Sequence, residues 1–237
     1  MTSLQRAKAE YNTWFGSGGP KGLSARLLFG PLGLWLASTP LVRLAEELQL
    51  DSTMVHLDIG CGAGALVKHL NSRVGATLPS VGVDLSHNAL RLADSNDDTN
   101  RYVEASGTNL PFATNTFSLV TAGYVVKHLD EPDLLLLFSE IHRVLAPGGL
   151  MVVWEFGPSN SKLLNRWNSG VLSQYVSPPH LRPINSLIDV AKNSGFEYVH
   201  NAGLRPFLLP PIPRVSMIGG KPPDGYVMPE NTPSSGN

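Results

Sequence analysis

Two carboxylates and a run of glycines are the residues of this chain best suited to chemistry: Asp58-Ile59-Gly60-Cys61-Gly62-Ala63-Gly64, then Asp84-Leu85-Ser86, with Asp84 twenty residues beyond Gly64. Glycine at alternate positions lets the backbone turn sharply off a strand and lets a ligand lie against it, because no Cβ intervenes. A carboxylate closing the next strand can accept hydrogen bonds from both hydroxyls of a ribose. The pattern points to a nucleoside-containing cofactor held by Asp58, Gly60, Cys61, Gly62, Gly64, Asp84 and Leu85. An ordinary strand-to-helix turn with Asp84 as a helix cap is the plainer alternative. Ser86 is already placed for that capping, and three glycines exceed what such a turn needs.

Two kinds of cofactor use this geometry. Gly60, Gly62 and Ala65 satisfy the dinucleotide pattern G-x-G-x-x-G/A, which by itself is weakly specific. Asp58 tips the choice, since a carboxylate beside the turn repels the pyrophosphate of a dinucleotide. S-adenosylmethionine carries no phosphate and brings a cationic amino group and a sulfonium, so an acidic neighbour suits it.

Further along the chain come Leu110-Pro111-Phe112, Phe117-Ser118-Leu119-Val120, His128-Leu129 and Glu140-Ile141-His142-Arg143-Val144-Leu145-Ala146-Pro147-Gly148-Gly149. With these elements in this order, the chain resembles the class I S-adenosylmethionine-dependent methyltransferases, in the group that includes small-molecule and quinone methyltransferases. The resemblance is strong over residues 53–156. It implies an α/β, Rossmann-like fold with a mostly parallel seven-stranded sheet and helices on both faces. It further implies S-adenosylmethionine as cofactor and an acceptor pocket built from residues 1–50 and 157–183. One departure stands out. The family often places Gly-Asp-Ala before Leu-Pro-Phe, with the Asp reaching the adenine amino group, where this chain has Ala105-Ser106-Gly107. Ser106 can make one hydrogen bond there, without the charge.

The elements that must position these residues follow from periodicity. Val55 to Ile59, Val81 to Asp84, Tyr102 to Ala105, Phe117 to Ala122 and Leu150 to Phe156 are short apolar runs between helical patterns, the signature of a parallel sheet covered on both faces. Leu134, Leu137, Phe138, Ile141, Val144 and Leu145 recur at a helical period after Asp130 and Pro132. A weaker helix is expected over 185–194, then a closing pair of strands over 196–202 and 213–220. Residues 1–50 read as a helical cap or lid, 51–221 as the main domain with an acceptor-side insertion at 157–183, and the Pro-, Gly- and Ser-rich tail from Lys221 as disordered.

Ends of strands in open parallel sheets face the ligand crevice, which brings Ser106, Gly107, Thr108 and Tyr124 to the cofactor. His128, Glu155 and His180 are the candidate bases if the acceptor arrives protonated, His128 also bordering the acceptor. Each has a plainer reading, as a residue that bonds a neighbouring carbonyl or is solvated in a loop. Tyr11, Trp14 and Phe15 form an aromatic cluster that either packs in the core or closes over the site. The Leu27 to Leu36 run is a core helix, a dimer face or a surface that meets an apolar acceptor.

Composition narrows the function. Charged residues are 16% of the chain and net charge is −1, so no basic face awaits a nucleic acid. No cluster has metal-ligand spacing. The single Cys61 sits inside the turn, which suits a reducing compartment. No secretory signal is evident, and the Leu27 to Leu36 run, broken by Gly30, Pro31 and Gly33, is short of the ~20 residues that span a membrane. The expectation is a cytoplasmic enzyme that methylates a small, apolar or quinone-like acceptor, with peripheral membrane contact left open. The alternatives are a non-catalytic cofactor-binding subunit and a nicotinamide oxidoreductase, which would lack the Leu-Pro-Phe and Pro-Gly-Gly elements.

Overall fold

A computed structural model describes residue 9 and residues 44–173, 179–203 and 213–225. Tyr11, Trp14, Phe15 and the Leu27 to Leu36 run lie outside the described residues. In chain order the elements are α1 (Leu44–Glu47), β1 (His56–Ile59), α2 (Ala65–Val74), β2 (Val81–Asp84), α3 (His87–Asn96), β3 (Arg101–Glu104) and β4 (Phe117–Gly123). A 3-10 turn (Val126–His128) leads to α4 (Glu131–Val144), β5 (Leu145–Phe156), α5 (Lys162–Leu172), α6 (Ile184–Asn193), β6 (Tyr198–Asn201) and β7 (Arg214–Gly220). The seven strands lie in the order β3-β2-β1-β4-β5-β7-β6, parallel except for β7, which runs antiparallel to both neighbours.

Alternation along the central strands separates two cores. Leu57 and Ile59 of β1 and Val120 and Ala122 of β4 pack with Leu134, Leu137, Phe138 and Ile141 of α4 and with Leu187 and Ala191 of α6. On the opposite face Leu119, Val152 and Trp154 meet Leu66 and Leu70 of α2 and Ala45 of α1. The sheet is therefore covered on both sides, as its continuous apolar strands require. α4 has the clearest local instructions: Asp130 caps it by accepting from the Asp133 amide, Pro132 occupies its first turn, and His142 and Arg143 sit at the negative end of its dipole.

Four expectations need correction. β5 begins at Leu145 and not at Leu150, because the chain passes from the end of α4 straight into pairing with Phe117; a register shift between Phe117 and Leu119 then absorbs Pro147-Gly148-Gly149. The insertion at 157–183 contains α5, which Asn165, Asn168, Ser169 and Gly170 conceal by their weak helix propensity. The sixth strand is shorter than expected, and Phe196, placed in it by pattern, is a core residue before it. Lys221 belongs to the fold and not to a disordered tail: its ammonium donates to Asn115 Oδ1 at 2.7 Å and to the carbonyls of His142 and Leu145, each at 2.9 Å.

Candidate functional site

The glycine turn leaves β1 with Gly60, Gly62 and Gly64 all in the left-handed region, at φ of 71°, 53° and 76°. A side chain at Gly60 would place its Cβ 2.3 Å from Val125 Cγ2, and one at Gly64 would meet the Tyr102 hydroxyl at 2.5 Å. Both the conformation and the close packing thus demand glycine. The Gly62 amide donates to Asp84 Oδ2 at 2.9 Å, and the Ser86 amide to Asp84 Oδ1 at 2.8 Å. Asp84 is thereby fixed between the turn and the end of β2. Capping of α3 falls to Ser86, whose hydroxyl accepts from the Ala89 amide.

Asp58 lies beside it on β1. Its Oδ1 accepts from the Thr121 hydroxyl at 2.6 Å, and the same hydroxyl is 2.8 Å from His56 Nε2. This buried line runs across β1 and β4 because Asp58 and Thr121 are register partners. Burial, reinforced by the negative charge of Asp84, lifts Asp58 to a pKa of about 7, while burial holds His56 neutral at about 3. Asp84 is also raised by burial, against the pull of its backbone amides, including that of Leu85. Burial pushes the Cys61 thiol up as well, and the two aspartates add to it. Among the described residues no ion pair reaches either carboxylate.

The loop after β3 comes next to this pair, the Ala105 amide donating to the Asp84 carbonyl at 3.2 Å. Ser106 Oγ and Thr108 Oγ1 bond each other at 2.8 Å. Gly107 is explained by packing: a Cβ there would lie 2.8 Å from Ile59 Cγ2 and 2.9 Å from Leu137 Cδ1, so its α-carbon faces the core.

The ends of β4 and β5 build the other side of the crevice. Tyr124 holds a left-handed φ of 58°, costly for a residue with a bulky side chain, and its ring lies on Phe156 with centroids 4.6 Å apart. Beneath these rings is Lys127, 4% exposed. Its ammonium donates to the Tyr124 carbonyl, stands 3.6 Å from Glu155 Oε1, and lies 5.5 and 5.9 Å from the centroids of Tyr124 and Phe156. Glu155 also accepts from the Lys127 amide at 3.0 Å and the Phe156 amide at 2.8 Å. Burial lowers the Lys127 pKa and raises that of Glu155, and each opposes the shift of the other.

His128, partly buried, is pushed well below the ordinary histidine range by burial and then by Lys127 and His180. The His180 amide donates to the Lys127 carbonyl at 2.9 Å. Arg182 locks this segment of the insertion down, pairing with Glu131 at 2.8 Å and donating to the carbonyls of Val126 and Leu129. The three candidate bases, His128, Glu155 and His180, therefore converge on one 3-10 turn. Sequence reasoning missed Lys127, Thr121 and Arg182. A lone cation after Val125-Val126, at the crevice end of a buried strand, was the available signal for Lys127.

Two buried carboxylates without a counter-charge among the described residues match a ligand that carries positive charge and hydroxyls. A sulfonium nucleoside with an amino-acid tail meets both requirements, and a pyrophosphate would meet repulsion. The residues present thus fit S-adenosylmethionine.

Comparison with known proteins agrees. A family model described as "Methyltransferase domain" matches residues 57–153. The chain is 34% identical over 128 residues to a 2-phytyl-1,4-naphtoquinone methyltransferase of Nostoc punctiforme, covering 52% of this chain and 55% of that one. It is 35% identical over 116 residues to a demethylmenaquinone methyltransferase of Staphylococcus saprophyticus subsp. saprophyticus, covering 48% and 49%. The chain thus spans about half the length of the curated relatives it matches. Among solved structures, the [4+2]-cyclase SpnF superposes with a TM-score of 0.68 at 17% identity, over 94% of this chain and 98% of the cyclase. That likeness speaks to fold alone.

Proposed function

We propose that this chain, which carries a class I S-adenosylmethionine-dependent methyltransferase domain, transfers a methyl group to a small, apolar acceptor of quinone type by in-line displacement. The observation that carries the reading is the Asp58–Asp84 pair, Asp84 fixed by the glycine turn and Asp58 by the Thr121 hydroxyl, lacking a cation among the described residues. S-adenosylmethionine supplies a methyl group on a cationic sulfur. Asp84 accepts from the ribose hydroxyls, Asp58 faces the cationic portion, and the Ser106 to Thr108 loop borders the adenine. Tyr124 and Phe156 wall the crevice on the acceptor side, on a floor fixed by Lys127 and Glu155. Their work is positional: holding reactants in line contributes about 7–11 kcal/mol to such a reaction, and apolar walls exclude water.

The quinone-type acceptor is suggested by the relatives, one of which is named for a phytyl-bearing naphthoquinone. It agrees with low charge and with the apolar walls. In the same reading the protein works in the cytoplasm and meets its acceptor at a membrane surface; none of its described helices is long and apolar enough to cross one.

Parallel calorimetry with S-adenosylhomocysteine and NAD tests the cofactor, with binding expected for the first alone. Transfer of labelled methyl to a reduced demethylated naphthoquinone tests the acceptor. NAD binding in place of S-adenosylhomocysteine would overturn the reading. The cyclase of similar fold gives a second reading specific content: cofactor binding with no transfer to any quinol would make the chain a binding or non-methylating relative.

A further inference from the structure

α5 (Lys162–Leu172) begins six residues after Phe156, the crevice end of β5, and presents an unusual outer surface. Leu163 is 80% exposed and Trp167 is 62% exposed, the two most exposed large apolar side chains among the described residues. Four residues apart, they stand one turn above the other on a single stripe. Lys162 and Arg166, also exposed and also four apart, form the neighbouring stripe. The inner face is different in kind, with Asn168 and Leu172 buried.

The charge around the helix is one-sided. Residues 156–188 contain Lys162, Arg166 and Arg182 and not a single Asp or Glu, in a chain whose net charge is −1. Arg182 is occupied by Glu131, so the outward cations are the two on α5. An exposed Leu and Trp flanked by a basic stripe have the composition of a helix that lies in the plane of a membrane interface. The Trp ring suits the headgroup boundary, and the cations suit anionic headgroups.

We infer that α5 docks this protein on the surface of an anionic lipid bilayer, with Leu163 and Trp167 entering the apolar boundary and Lys162 and Arg166 meeting the headgroups. The inference deepens the proposed function and rests on it, since an acceptor with a long isoprenoid tail resides in the bilayer. Because α5 follows directly from the strand end that carries Phe156, docking turns the acceptor side of the crevice toward the lipid.

The test uses the whole chain with vesicles of phosphatidylcholine and vesicles that also contain phosphatidylglycerol, read by flotation. Binding is expected to the anionic vesicles and to weaken with salt. Leu163→Ser with Trp167→Ser should reduce partitioning by about tenfold or more, from the apolar surface no longer buried. Lys162→Ala with Arg166→Ala should reduce it by about thirtyfold on the anionic vesicles only. Circular dichroism and S-adenosylhomocysteine affinity should be unchanged in both variants. Failure of the wild-type chain to float, or equal flotation of the Ser variant, overturns the inference. So does a wild-type dimer that the Ser variant dissociates, which would make the stripe a subunit interface. No acceptor enters this experiment, so its failure leaves methyl transfer standing, and absent transfer leaves the docking standing.

Discussion

The two halves of the crevice are made by different means. On the β1–β2 side, the site consists of backbone turned by glycines and of Asp84 held by backbone amides, that of Gly62 from the turn and that of Ser86 two residues on; only Asp58 takes its bond from a side chain, the Thr121 hydroxyl. On the β4–β5 side, it consists of side chains that meet from distant segments: Lys127 with Glu155 and Arg182 with Glu131. A backbone-built site constrains sequence locally and tolerates little change. A side-chain-built site fixes only a shape and can be rebuilt with other residues, which is how one cofactor fold could serve many acceptors.

The sharpest way to break this comparison is on the glycine side. Gly62→Val places a branched side chain at a φ of 53°, in a conformation it resists, and where the backbone must approach the ligand. Affinity for S-adenosylhomocysteine should fall by more than about a hundredfold, a loss of roughly 2.7 kcal/mol, while circular dichroism still reports a folded chain. Normal binding by this variant would make the turn a purely structural feature.

On the other side the expected loss is in stability and acceptor affinity, with the cofactor untouched. Lys127→Met leaves Glu155 buried without its cation, and stranding a buried charge costs about 3–5 kcal/mol. The double variant Lys127→Met, Glu155→Gln removes both charges and should recover most of that stability in urea unfolding. It should still raise the KM for acceptor, because Tyr124 loses the ammonium bonded to its carbonyl. A parallel loss of S-adenosylhomocysteine affinity would show that the halves are not independent.

The same division decides what could be read from the sequence. Glycine spacing and Asp84 were legible because each answers a local demand of the backbone, a left-handed turn and a strand end with the Ser86 amide within reach; Asp58 was legible from its place before the turn, but its partner Thr121 was not. The central strands followed from short apolar runs, though their order in the sheet did not. α5 was hidden by its Asn, Ser and Gly residues, and β5 was misjudged at its start because the bulge after Phe117 depends on a partner strand that spacing does not reveal. Lys127 and Arg182 were invisible as a pair of locks, since their partners lie 28 and 51 residues away. Long-range ion pairs carry no period.

A pH titration sharpens the comparison with a smaller effect. Asp58 has a pKa near 7 in the fold against an ordinary 3.8, so the folded state holds a proton that the unfolded chain has lost. Stability therefore falls as pH rises from about 4 to about 7 and is level above that. A cationic ligand favours the ionised carboxylate, so its affinity moves the other way, rising up to about tenfold per pH unit below 7 and then flattening. In Asp58→Asn the S-adenosylhomocysteine affinity should be weaker and nearly flat over this range. A wild-type affinity independent of pH would remove Asp58 from contact with the cation.

The smallest effect is predicted for His128, one of the three candidate bases. His128 stands at the crevice end of the 3-10 turn, but burial, Lys127 and His180 together hold its pKa well below the histidine range. A general base works best when its pKa lies near the operating pH, and one that does contributes about 10² to 10⁴ in rate. A histidine that stays neutral throughout the working range, and binds a proton poorly, is ill matched to that task. His128→Gln keeps a polar group of similar reach and should lower kcat by less than about tenfold, with the pH profile between 6 and 8 unmoved. A loss of a hundredfold or more, together with a missing acidic limb in the profile, would mean that this side of the crevice performs proton chemistry. The division between a cofactor half that binds and an acceptor half that only shapes would then fail.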